Sequence, residues 1–124
     1  MNDGMPKLDR VHHISLNVDD TDECARFYTE QLGFARLPRP DFGFPGAWLD
    51  AGGYQIHLLE LPDERPARSQ HFAIAVDDLD GTCSALAARG VDVSEPRPVG
   101  GDGARQAFFR DPAGNLIELN QPGS

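Results

Sequence analysis

Three of the four histidines in this 124-residue chain, together with one glutamate, stand at matched places in a repeat. His71 follows His13 by 58 residues (71 − 13), and the surrounding segments correspond: His13-Ile-Ser-Leu-Asn-Val18-Asp19-Asp20 against His71-Phe-Ala-Ile-Ala-Val76-Asp77-Asp78. A second correspondence runs at an offset of 61 (118 − 57), with Gly53-Tyr-Gln-Ile-His57-Leu58 against Gly114-Asn-Leu-Ile-Glu118-Leu119. The chain is therefore an internal duplication. It sets His13 against His71 and His57 against Glu118. Imidazole and carboxylate are the ligands that borderline divalent metals prefer, three or four of them at about 2 Å. A pseudo-two-fold relation between repeats brings equivalent positions toward one axis, so the four are read together as a metal site. Taken singly, each is as readily a hydrogen-bonded strand residue. His12 points the other way on its strand and is read as structural.

The elements that must position these residues follow from periodicity. Val11 to Val18 alternates, with Ile14, Leu16 and Val18 on one face and His13, Ser15 and Asn17 on the other, which predicts a strand. Asp19-Asp20-Thr21-Asp22 supplies a cap for a helix over about 22–32, apolar at Cys24, Phe27, Tyr28 and Leu32 and ended by Gly33. A short strand is expected at Ala35 to Leu37. A proline-rich loop at 38–46 precedes a hairpin of Ala47 to Asp50 and Tyr54 to Leu61 across Gly52-Gly53. The second half repeats the order: a strand from His71 to Val76, a helix from Leu79 to Arg89 closed by Gly90, a short strand at Val91 to Val93, and a loop over 94–104. A hairpin of Ala107 to Arg110 and Leu116 to Asn120 then turns around Asp111-Pro112-Ala113-Gly114. Pro62 to Ser69 reads as the linker. This predicts an α+β fold of two tandem βαβββ modules, about 8–61 and 70–121, forming one domain over 1–124. Helices cover the convex faces of the mixed sheets, which curl around a shared metal-binding cavity lined by His13, His57, His71 and Glu118.

Composition narrows the function classes. A hydrophobic fraction of 40% with seven phenylalanines, two tyrosines and one tryptophan supports a packed core and argues against disorder. Twenty acids against eleven bases, a formal charge of −9, argue against a nucleic-acid partner. No apolar run approaches the roughly 20 residues of a membrane span. Met1 to Arg10 has no apolar signal core, and a cytoplasmic location is expected. Cys24 and Cys83 fall in corresponding helices with no metal or redox motif beside them, and are read as small buried hydrophobes.

At these residues the chain resembles the vicinal oxygen chelate superfamily, the group of glyoxalase I, methylmalonyl-CoA epimerase, extradiol dioxygenases, fosfomycin-resistance transferases and bleomycin-binding proteins. The stretches that carry the resemblance are His13-Ile-Ser-Leu-Asn-Val, Phe27-Tyr-Thr-Glu-Gln-Leu-Gly-Phe34, His71-Phe-Ala-Ile-Ala-Val-Asp-Asp and Phe109-Arg-Asp-Pro-Ala-Gly-Asn-Leu-Ile-Glu118-Leu. They span about residues 8 to 121. The family places metal ligands on the first and last strands of each repeat, which implies His13, His57, His71 and Glu118. Glyoxalase I enzymes usually carry Glu where this chain has His57. Extradiol dioxygenases and fosfomycin transferases use a two-His, one-Glu set that falls on His13, His71 and Glu118. Antibiotic-binding members without metal lack these ligands.

The resemblance implies a divalent-metal-dependent lyase or isomerase of glyoxalase I type, with Zn, Ni, Co, Mn or Fe as the metal. The metal would chelate vicinal oxygens of a small substrate and stabilise an enediolate. Glu118 is the candidate base, a role that competes with simple ligation. The alternatives left open are an extradiol-type dioxygenase, an epoxide-opening antibiotic transferase, and a small-molecule or antibiotic binding protein without catalysis. Phe42, Phe44 and Trp48 are candidates to hold an apolar substrate, and Arg39 and Arg105 to hold a substrate carboxylate. Gly100-Gly101-Asp102-Gly103 is read as a mobile lid or a plain flexible loop. By resemblance a homodimer is expected, with sites at the subunit interface, each drawing His13 from one chain and His71 and Glu118 from the other.

Overall fold

A computed structural model describes residues 4 to 123. Strand β1 (His13–Val18) begins two residues later than its alternation predicts, because its partner sets its length. It runs parallel to β4 (Gln55–Glu60), and the ladder opens at His13 opposite Gln55, the first residue clear of the Gly52-Gly53 turn. β3 (Gly46–Asp50) pairs antiparallel with β4, and β2 (Ala35–Leu37) with β3, giving the sheet order β1-β4-β3-β2. The second module repeats this order with β5 (His71–Ala75), β6 (Arg97–Pro98), β7 (Arg105–Arg110) and β8 (Leu116–Gln121) as β5-β8-β7-β6. The fold is therefore α+β, two tandem modules of four-stranded mixed sheet and one helix each.

One strand is not where its sequence puts it. Val91 to Val93 forms no ladder. Val91 is occupied in closing the preceding helix, its N–H on the Leu86 carbonyl (3.0 Å), and the segment is tied to β7 only at Ser94. The edge strand forms instead at Arg97–Pro98, where a proline is tolerated because one side of an edge needs no donor. The glycine loop, read as a lid or a plain flexible loop, is the connector of this β6–β7 hairpin, closed by Val99 N–H on the Ala104 carbonyl (2.9 Å).

Helix α1 (Thr21–Arg26) is capped by the Asp20 carboxylate, which accepts from Glu23 N–H at 3.1 Å. Asp78 caps α2 (Leu79–Ala88) in the same way through Gly81 N–H. The first helix does not stay α-helical to Leu32. Phe27–Gln31 widens into a π turn, where the Thr29 hydroxyl bonds back to the Ala25 carbonyl and competes with the regular ladder. Each helix is moored to the end of its own sheet by an equivalent bond. Glu60 Oε1 accepts from Thr21 N–H (2.9 Å) and Gln121 Oε1 from Leu79 N–H (2.8 Å).

The core is continuous across both modules: Leu49, Ile56 and Leu58 from one sheet, Phe109, Ile117 and Leu119 from the other, with Tyr28 and Leu79 from the helices. Both cysteines are buried within it as free thiols, and burial pushes the Cys24 thiol up to about 12. The modules are joined by a buried polar latch. Asp111 lies at the β7–β8 turn and is 4% exposed. Its carboxylate accepts the Tyr28 hydroxyl at 2.7 Å, Asn115 Nδ2 at 3.0 Å, and the N–H groups of Ala113 and Asn115. Asn115 also donates to the Asn17 carbonyl on β1. Four donors compensate the desolvated charge.

Replacing Tyr28 with Phe removes one donor and keeps the ring, so Tyr28→Phe is expected to lower unfolding free energy by about 1–3 kcal/mol in urea titrations. Burial, then Asp111, holds the Tyr28 hydroxyl well above its usual pKa of 10. Its contribution is therefore present below about pH 10 and is lost as the unfolded chain ionises above it, so the wild-type loss of stability at alkaline pH should be blunted in the variant.

Candidate functional site

Alternation carries the chemistry-bearing side chains to the face of each sheet opposite its helix. In the first module, register places Ser15, His57, Trp48 and Leu37 in one row across the sheet. The imidazole of His57, 7% exposed, lies between two flat neighbours. The His13 ring is stacked at 4.0 Å and 15°, and the Trp48 indole at 4.4 Å and 8°. Phe42 leans on Trp48 at 6.1 Å. Gln55 Oε1 accepts from His57 Nε2 at 2.8 Å, which leaves Nδ1 as the nitrogen with a lone pair. His12, expected to be a bystander, contacts His13 through their Nδ1 atoms at 3.0 Å.

The second module arranges its pair differently. His71 Nδ1 donates to the Ser69 carbonyl at 2.9 Å, so Nε2 is presented to the face. There it meets Glu118 Oε1 at 3.1 Å. Glu118 is 9% exposed, and its other oxygen accepts from Asn120 Nδ2 at 2.9 Å. Phe108, opposite Glu118 in the ladder, sets its edge against His71 at 5.4 Å. One proton shared between Nε2 and Oε1 satisfies this contact, and a divalent cation would take that proton's place with both lone pairs already aimed. The donor chemistry thus fits a borderline metal.

Within one chain the four predicted ligands form two pairs, His13 with His57 and His71 with Glu118. Among the described residues no three side chains of His, Cys, Asp or Glu gather closely enough to hold an ion. Imidazole lone pairs lie in the ring plane, and two rings stacked at 4.0 Å cannot both aim at one ion about 2 Å away. Joint ligation by His13 and His57 requires one ring to turn.

The profile of the Glyoxalase/Bleomycin resistance protein/Dioxygenase superfamily matches residues 10–119. The chain belongs to this superfamily. It is 35% identical over 124 residues to a probable lactoylglutathione lyase of Vibrio cholerae, covering 90% of each chain. It is 33% identical over 122 residues to the lactoylglutathione lyase of Haemophilus influenzae, covering 89% of this chain and 90% of that one. Among solved structures it superposes on TnmS3, an antibiotic binding protein from Streptomyces sp. CB03234, with TM-score 0.81 and 31% identity over 96% of this chain and all of that one. The lactoylglutathione lyase of Agrobacterium tumefaciens shares the fold, with TM-score 0.76 at 22% identity over 93% and 95% of the two chains.

The remaining predicted site residues of this superfamily member separate into two groups. Arg39, Phe42, Phe44 and Trp48 assemble beside His57, with the Arg39 guanidinium 4.9 Å from the Phe42 ring centre and 5.1 Å from that of Phe44. Arg105 does not join them. It faces the helix side of its sheet and is held by both oxygens of Asp80 at 2.9 Å, because its β7 position shares a face with the buried Ala107 and Phe109. Gln55, Ser69, Phe108 and Asn120 touch the ligand-type residues and were not singled out by sequence. For Gln55 and Asn120 the signal was present, since each lies two residues from His57 or Glu118 on the same strand face.

Burial, then His13, His12 and Arg39, holds the His57 imidazole below its usual pKa of 6.5. The unfolded chain takes up this proton first, so the stability is whole above about pH 6.5 and is lost as pH falls below it. Chelator-treated protein should lose urea resistance between about pH 7.5 and about pH 5.5, and His57→Phe should flatten that slope.

Proposed function

We propose that the protein is a divalent-metal-dependent lyase of glyoxalase I type that works as a homodimer. The observation that carries the reading is the His71–Glu118 pair. It is a nearly buried carboxylate and an imidazole 3.1 Å apart, each held from behind by a separate partner, Asn120 and Ser69. The similarity to lactoylglutathione lyases supports this reaction class. His13 of one chain, with His71 and Glu118 from a second copy, would hold a single ion of Zn, Ni, Co, Mn or Fe, and His57 backs His13 as its stacked neighbour. Two half-sites on separate sheets support completion across a dimer. Bound there, the ion would supply Lewis acidity to two adjacent substrate oxygens. Glu118 Oε1 takes a proton from the carbon beside the carbonyl and returns it to the neighbouring carbon. Asn120, which donates to Glu118 Oε2, steadies the carboxylate, and Trp48, Phe42 and Phe108 exclude water and receive the apolar part of the substrate.

A second reading, sequestration of an aromatic small molecule without catalysis, is favoured by the His13–His57–Trp48 stack and the 31% identity to an antibiotic binding protein.

Elemental analysis of untagged protein, paired with a lactoylglutathione-forming assay, tests the two. The expected result is about one metal per site. Both His71→Ala and Glu118→Ala should lose it, with kcat/KM falling about a thousandfold. Absence of metal after reconstitution, with tight binding of an aromatic ligand, would favour sequestration.

A further inference from the structure

His12 and His13 are neighbours in sequence, and their imidazoles meet. The two Nδ1 atoms stand 3.0 Å apart, with the rings nearly perpendicular at 87°. Two lone pairs would repel at that distance, so one nitrogen carries a proton and the other accepts it. The pair is tied into the sheet. The His12 carbonyl accepts the N–H of Gln55 at 3.1 Å, the residue opposite His13 in the β1–β4 ladder. The Gln55 side chain accepts from His57 Nε2 at 2.8 Å, and the His57 ring lies flat against His13 at 4.0 Å. Stacking therefore sets the plane of the His13 ring, and His12 engages one of its two nitrogens. Among the described residues the His13 ring forms no other hydrogen bond. The second module holds its leading histidine differently. There the Ser69 carbonyl takes the Nδ1 proton of His71 at 2.9 Å and leaves Nε2 facing Glu118. At the 58-residue offset Ser69 corresponds to Val11 and Gln70 to His12 (69 − 11 and 70 − 12). The first module thus uses an imidazole where the second uses a backbone carbonyl. Both His12 and His13 are exposed, so water would replace their bond at little cost to folding, and stability does not account for it.

We propose that His12 is a positioning residue: its Nδ1 accepts the Nδ1 proton of His13 and so leaves His13 Nε2 with the lone pair that would meet a metal. This rests on the proposed reading that His13 is a ligand. The hydrogen bond at one ring nitrogen decides which tautomer the imidazole adopts. A good acceptor behind the ring also makes the other nitrogen a better ligand. The His12 proton then lies on its own Nε2, where solvent reaches it. The opposite polarity, with His12 donating, would put the His13 proton on Nε2 and block ligation until the tautomer changed. With His12 accepting, the leading histidines of both modules present the same atom, Nε2, from equivalent strand positions.

The tautomer is read directly by long-range proton–nitrogen correlation spectra of chelator-treated protein carrying isotope-labelled histidine, at about pH 8.5, where imidazoles are neutral. His13→Gln assigns the His13 signals. Wild type is compared with His12→Phe, which keeps a flat ring and removes the acceptor, and with His12→Asn, which offers a carbonyl oxygen of the kind Ser69 offers His71. His13 should carry its proton on Nδ1 in wild type, mix both tautomers in His12→Phe, and return toward Nδ1 in His12→Asn. Titration with zinc alone against a competing chelator dye should show affinity about 10–100-fold lower in His12→Phe, the usual effect of losing an outer partner, with part of it restored in His12→Asn. Without metal the three proteins should melt within about 2 °C of one another, since the altered residue is exposed. A wild-type His13 proton on Nε2, or a tautomer that His12→Phe does not move, overturns the proposal. So does equal loss of zinc affinity in both variants with a lower melting temperature, which marks a structural histidine. A tautomer shift in a protein that binds no zinc upholds His12 and sinks the metal reading. Zinc that is lost in His71→Ala but bound equally by wild type and His12→Phe does the reverse.

Discussion

The buried carboxylate of Asp111 is the constraint on which the two-module arrangement depends. A charge this far from water is tolerable only when its lone pairs are occupied, and four donors occupy them. Two of the donors are backbone groups of its own turn and shape the β7–β8 hairpin. The third, Tyr28, comes from a residue 83 positions away on the first module's helix. The fourth, Asn115, passes the connection on to the β1 backbone at Asn17. The group therefore sets the second sheet against both the helix and the leading strand of the first. Apolar burial drives the modules together without direction, and these directional bonds fix how they meet. His13 and His71 stand at the first residues of β1 and β5, so their separation follows from that latch.

The two halves share a topology and differ in chemistry. Each offers a pair of ligand-type side chains from its first and last strands. The second module pairs an imidazole with a carboxylate whose partners leave one nitrogen and one oxygen aimed at each other, an arrangement suited to holding a cation or moving a proton. The first stacks two imidazoles on an indole, and burial there, then His13, holds the His57 imidazole below its usual pKa. Duplication supplied the positions, and the two faces now carry different side-chain chemistry.

The chain carries a formal charge of −9, yet the guanidinium of Arg39 lies between Phe42 and Phe44 beside Trp48, with no carboxylate paired to it among the described residues. The general acidity disfavours polyanionic partners.

Much of this was legible in the chain alone. The 58- and 61-residue offsets revealed the duplication, period two assigned His13, His57, His71 and Glu118 to strand faces away from the helices, and Asp20 and Gly33 bounded the first helix. These features depend on local periodicity and on residue types with strong conformational preference, which neighbours in sequence determine. Other features needed the third dimension. Val91 to Val93 has the composition of a strand, but the helix cap consumed it and the ladder formed further on. Arg105 looked available until its strand face turned it onto Asp80. Glu60 and Gln121 moor the helices at the same 61-residue offset, yet the role appears only when strand end meets helix start. The four ligand-type residues were legible as a set, but their division into two pairs was decided by tertiary geometry. Sequence spacing specifies which face a side chain occupies, and only the packing of one sheet against another specifies the distance between faces.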